Sequence, residues 1–195
     1  MKLRALSPSQ YLGSDVVIES DSSSVIELAT CLLPADADEV AFAQAAFEWV
    51  RDQVAHSVDA GDHRITLSAT EVIAERVGLC FSKAHLLVAL LRSRNIPAGL
   101  CYQRLRNGDG FVLHGLVAVH LDGTWHRLDP RGNNRVVDAQ FDLDTERVAW
   151  QADPSVGEID YTEVWTAAAP LVVDALTGAQ DALALCAGGL PDRPA

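Results

Sequence analysis

Gly78-Leu79-Cys80-Phe81-Ser82-Lys83-Ala84 is the stretch from which the fold can be read. A glycine closes one segment and a cysteine opens the next. From there Ala84, Leu87, Val88 and Leu91 recur at i, i+3, i+4 and i+7, the spacing of one helix face. Leu86 and Leu90 widen that stripe until the segment is apolar nearly all round, which predicts a central, buried helix. Asn95-Ile96-Pro97 ends it. Cys80 then sits in the first helical turn, where unpaired N–H groups and the backbone dipole favour thiolate over thiol. Gly78 beside it lets backbone or substrate approach closely. Taken alone, a cysteine in such a place is most often a small buried hydrophobe.

Working outward, residues 36–54 form a helix pattern, with Val40, Phe42, Ala43, Ala46, Phe47 and Val50 on its apolar face. Residues 14–19 have the look of a short strand, and 57–64 that of a polar loop. Ser68-Ala69-Thr70-Glu71 fits a capping box that opens a second helix, for which Gly78 is the stop. On the other side of the central helix, 99–105, 111–121 and 124–128 are strand-like. Asp122-Gly123 between the last two is a favoured two-residue hairpin turn. Beyond Asn133 the signals are weaker, with extended segments at 135–141 and 146–151 and a closing helix at 175–187. Helices followed by antiparallel strands give an α+β class, helices packed on an antiparallel sheet. One domain spanning 1–195 is expected, with a core at about 36–134 and extensions 1–35 and 135–195 packed on it.

The hairpin tests which residues can join Cys80. With a two-residue turn Leu121 faces Thr124, and counting outward sets Asp129 opposite Leu116. His114 is then a diagonal cross-strand neighbour of Asp129, roughly 7–8 Å away between Cα atoms and within side-chain reach. A slip of one residue would put the two on opposite faces. His120 lies on the same face but roughly 20 Å further along, and His126 lies on the other face. Cysteine, histidine and aspartate in this order have the setting of a nucleophile, its base and the group that orients the base. The Cys80 backbone N–H is a candidate oxyanion donor. A second could come from Gln44, Trp49 or Gln53.

Composition narrows the function. The 195 residues contain 49% hydrophobic and 22% charged side chains, as in a soluble globular protein. A net charge of −12 argues against nucleic-acid or anionic-membrane partners, which need basic patches. The first residues lack the apolar region of a signal peptide, and no stretch approaches a membrane span. Cys31, Cys80, Cys101 and Cys186 are scattered without a CxxC pair, so a cytoplasmic, reducing setting is expected and the other three cysteines are assigned to the core. His56, His63 and His85 have no metal-ligand spacing, so neither a catalytic metal nor another cofactor is expected.

Over roughly residues 42–134 the chain resembles the transglutaminase-like superfamily. Gly78-Leu79-Cys80, the run Ala89-Leu90-Leu91-Arg92-Ser93-Arg94-Asn95-Ile96-Pro97-Ala98, the His114 strand and Trp125-His126-Arg127-Leu128-Asp129-Pro130 carry the likeness. It implies a papain-type core with Cys80 as nucleophile at the central helix N-terminus, His114 as general base and Asp129 as its orienting group. Leu116 and Ala118 replace an aromatic and an acidic residue frequent in the family. Asn95 replaces a glycine, and Arg131 stands where Thr or Ser commonly follows Asp-Pro. These departures fall at positions expected to wall the cleft.

The expected activity is thiol-dependent acyl transfer on amide or peptide bonds through a thioester. Water as acceptor makes it a cysteine protease or amidase, an amine makes it a cross-linker, and the triad is common to both. Hydrolysis of a protein or peptide substrate is the preferred expectation, since the chain has no Asp-x-Asp-x-Asp-Gly calcium loop. The alternative is an inactive transglutaminase-like module that holds a peptide in the old cleft. An arylamine-type acetyl transferase would also use Cys-His-Asp, but the chain is short for one.

Overall fold

Side-chain caps set where the first helices begin. Ser22 opens α1 (Ser23–Leu32) and Asp38 opens α2 (Glu39–Gln53), each accepting backbone N–H groups of the first turn. A short strand, β1 (Ala55–His56), and a one-turn helix, α3 (Ser57–Ala60), follow. The capping box of Ser68 and Glu71 is made in both directions and opens α4 (Ala69–Glu75). Strand β2 (Val77–Gly78) pairs in parallel with β1, and α5 (Cys80–Ser93) starts two residues later. This architecture is that of a computed structural model, which describes residues 2–195.

The main sheet is antiparallel. It contains β3 (Ala98–Asn107), β4 (Gly110–Leu121), β5 (Thr124–Leu128) and β6 (Ile159–Asp160), in the order β5-β4-β3-β6. Asp122 and Gly123 both take positive φ, 50° and 76°, as a primed hairpin turn requires. The register follows from that turn, with Leu121 opposite Thr124 and Val117 opposite Leu128. Two further helices, α6 (Pro170–Gly178) and α7 (Ala182–Gly188), close the described chain.

Helix α5 holds the fold together. Every residue from Cys80 to Arg92 is buried, because the helix is enclosed by α1, α2, α4 and the sheet. Leu86, Leu87, Leu90 and Leu91 interlock with Phe42, Phe47, Val117 and Val119 in the larger core. A smaller core lies elsewhere on the sheet, where Tyr11 packs with Cys101, Leu116, Ala118, Val148 and Val164. The class is α+β with helices on an antiparallel sheet and Cys80 at the N-terminus of the central helix.

Several local expectations are corrected. Residues 14–19 form a turn, because the Asp15 carboxylate accepts the N–H groups of Val17 and Ile18. Helix α4 ends at Arg76, in the left-handed region at φ 54°, and not at Gly78. Residues 135–141 and 146–151 run without strand pairing. The closing helix is two helices, since Ala179 is extended and the Asp181 side chain caps a new start. Cys31 is exposed on α1, not part of the core.

Candidate active site

Cys80 is the first residue of α5, and the preceding Leu79 has extended backbone with no capping side chain. The N–H groups at this helix end are therefore free of helical partners and converge where the thiol lies. Two glycines allow the surroundings to close in. A β-carbon at Gly115 would lie 2.7 Å from the Phe81 ring, so the glycine after His114 lets β4 press against the first turn of α5. At Gly78 a β-carbon would lie 2.7 Å from Ser82 Oγ and 2.9 Å from Thr66 Oγ1. That glycine serves packing inside the molecule and not the approach of a substrate.

His114 and Asp129 come together as the hairpin register requires. His114 Nε2 lies 2.8 Å from Asp129 Oδ2, and both side chains are buried. Asp129 Oδ2 also accepts the Ala149 N–H at 2.9 Å, and Oδ1 accepts the Arg131 N–H at 3.1 Å. Burial works against the ionised Asp129, but the His114 charge and these donors outweigh it and hold the carboxyl below its usual range. Burial likewise works against a charged His114. The Asp129 charge, then that of Cys80, and the hydrogen bond that His114 donates to Asp129 outweigh this and raise the imidazole to about 10. With Nε2 occupied by Asp129, Nδ1 is the nitrogen left for the thiol.

Cys80 and His114 line a cavity of about 460 Å³ together with His56, Arg131, Trp150 and Cys186. Trp150 stands edge-on to the His114 ring at 5.0 Å and shields the ion pair. Arg131 pairs both terminal nitrogens with Asp59 of α3 and lies over the Trp150 ring. Beneath the site, Lys83 is fully enclosed and donates from Nζ to the carbonyls of Arg51 and Val54. Burial lowers its pKa to about 7.

The expected second oxyanion donors lie elsewhere. Gln44 and Gln53 are exposed, Trp49 stacks under Arg76, and none of the three lines the cavity. His56 does. Strand β1 sets it beside Gly78, two residues before Cys80. Its Nδ1 is buried with no hydrogen-bond partner, and burial, then the Arg131 charge, lowers its pKa to about 3. It is therefore a neutral imidazole. Its signal in the sequence was only a histidine just past a helix, which no spacing rule marks. Leu116 and Ala118, expected in the cleft wall, are instead in the smaller core with Tyr11. Cys186, assigned to the core, reaches the cavity from α7. His120 and His126 stay away from it, beside Trp125 and the Leu143 carbonyl.

The family model of the transglutaminase-like superfamily matches residues 27–130, and the chain belongs to that superfamily. No curated protein matches it. Among solved structures, a chain from Cytophaga hutchinsonii named "Putative Cysteine Protease" is 22% identical, with a TM-score of 0.53 over 67% of this chain and 46% of that one. The periplasmic domain of TgpA from Pseudomonas aeruginosa, bound to ethylmercury, is 18% identical with a TM-score of 0.47, over 63% of this chain and 48% of that one. At these identities the first likeness is one of fold, and this chain spans about half the length of each. Among the described residues no helix is long and apolar enough to cross a membrane.

Proposed function

We propose that the protein is a thiol-dependent acyl-transfer enzyme acting on amide or peptide bonds, with hydrolysis as its outcome. The observation that carries this reading is the buried His114–Asp129 pair, 2.8 Å apart, at the cavity that also holds Cys80. His114 rests as the imidazolium that Asp129 holds, with the thiol proton already on Nδ1, and Cys80 is the thiolate paired with it. The sulfur attacks the carbonyl carbon, and the negative charge moves to the carbonyl oxygen. The Cys80 backbone N–H is one donor to that oxyanion. His56 is the other. Its buried Nδ1 finds no acceptor, so the proton belongs on Nε2, the nitrogen able to meet a ligand. His114 then protonates the leaving amine, a thioester remains, and water activated by the same imidazole releases the acid.

The test is the rate of Cys80 alkylation by iodoacetamide from pH 4 to 9, in the wild type and His114→Ala, located by peptide mass spectrometry. Rapid labelling at pH 6 that is lost in the variant supports an activated thiolate. Slow labelling with no dependence on His114 would instead favour a module that binds peptides without cleaving them.

A further inference from the structure

The cavity is closed on one side by the segment after α7. Leu190 lines it, and the Pro191 carbonyl accepts the Leu113 N–H at 2.7 Å. Leu113 immediately precedes His114 on β4. Strand β5 ends at Leu128, its partner being Val117, so the edge of β4 facing Leu113 has no strand beside it. Asp192 then reaches Arg104 on β3 at 3.4 Å, so the segment is held at both β4 and β3. It lies where a strand would add.

The pairing is incomplete. In an antiparallel ladder the N–H and C=O of one residue point to the same neighbour, and opposite residues exchange both bonds. The residue that accepts from Leu113 is a proline, which has no N–H to return. Among the described residues none donates to the Leu113 carbonyl. An unpaired group on a strand edge is a template for another extended chain. Val58, Leu105, Val112 and Leu113 give the cavity an aliphatic stretch of wall beside this edge, with Arg106, Asn107 and Glu158 also in the lining, and Leu190 lines it with its side chain half-buried.

We propose that this edge of β4 is the binding site for an extended peptide substrate with an aliphatic side chain, and that Leu190 and Pro191 hold its place. An incoming peptide with an N–H where Pro191 has none makes two bonds to Leu113 instead of one, and so displaces the segment. The inference rests on the proposed reaction for its purpose, because it names the substrate class of that site. Its test does not.

Cys80→Ala cannot form a thioester, so binding to this variant is independent of catalysis. The probe is acetyl-Ala-Ala-Leu-Ala-Ala-amide, with a control in which Asp replaces the Leu, followed by the NMR shift of the Leu113 amide. The leucine peptide should shift that amide saturably and the control should not. Leu190→Gly should tighten binding roughly tenfold, the scale of one part-buried aliphatic side chain. Pro191→Ala gives the segment the missing N–H and should weaken binding several-fold, the scale of about one hydrogen bond. General loosening of the segment would move both variants the same way. An unmoved Leu113 amide, equal shifts from both peptides, or variants that change in the same direction would overturn the proposal. Cys80 alkylation independent of His114 would overturn the enzyme and leave this site standing.

Discussion

Gly115 lies against Phe81 so closely that a β-carbon would come within 2.7 Å of the ring. Phe81 follows Cys80 and Gly115 follows His114, so the contact between these two neighbours sets the distance between thiol and imidazole. Gly115→Ala should push β4 from α5 and cost about 1–3 kcal/mol, the usual range for an overpacked core. Urea unfolding measures the stability, and iodoacetamide labelling measures the site. Labelling at pH 6 should fall even under conditions where the variant is fully folded.

The His114–Asp129 pair should make stability depend on alkaline pH. His114 is held protonated in the fold to about pH 10, whereas its ordinary value is 6.5. Its contribution is therefore complete below pH 6.5 and is lost as pH rises through 10. Lys83 is shifted the other way, to about 7, so it opposes this trend within the same window. Comparison with His114→Gln isolates the histidine because Lys83 is present in both proteins. The stability difference between wild type and variant should shrink from pH 6 to pH 10. A constant difference across that range would contradict the assigned proton.

His56 can be separated from the rest of the site by reaction type. Alkylation of a thiolate creates no oxyanion, whereas acylation does. His56→Phe should leave iodoacetamide labelling within about twofold and slow acylation by p-nitrophenyl acetate roughly a hundredfold, as for loss of one oxyanion donor. His56→Gln, which keeps an N–H, should recover part of the rate. Equal losses in both reactions would mean that His56 only positions Cys80.

Features built from near neighbours were legible in the sequence. Ser68 and Glu71 satisfy each other within one turn, and their capping box forms as expected. Asp122-Gly123 fixes a turn, the turn fixes a register, and the register brings His114 to Asp129. Helix α1 escaped notice because the Ser22 cap lies in a serine-rich run that also suits a loop. The apparent strand at 14–19 failed because the Asp15 side chain competes for the backbone N–H groups. His56, Ala149 and Trp150 reach the site from irregular or very short elements. Such contacts leave no period in the sequence, and only the assembled chain reveals them.

The hydrogen bond from Ala149 to Asp129, with Trp150 beside it, has a consequence for any attempt to reduce this protein to its recognisable part. The family likeness ends at residue 130, yet the aspartate at its border borrows a donor from twenty residues beyond. A fragment cut where the likeness stops would keep the thiol, the imidazole and the carboxylate in its sequence. It would lose the clamp on the carboxylate and the aromatic cover of the imidazole. The working unit is thus larger than the inherited motif, and the least regular stretch of backbone finishes it.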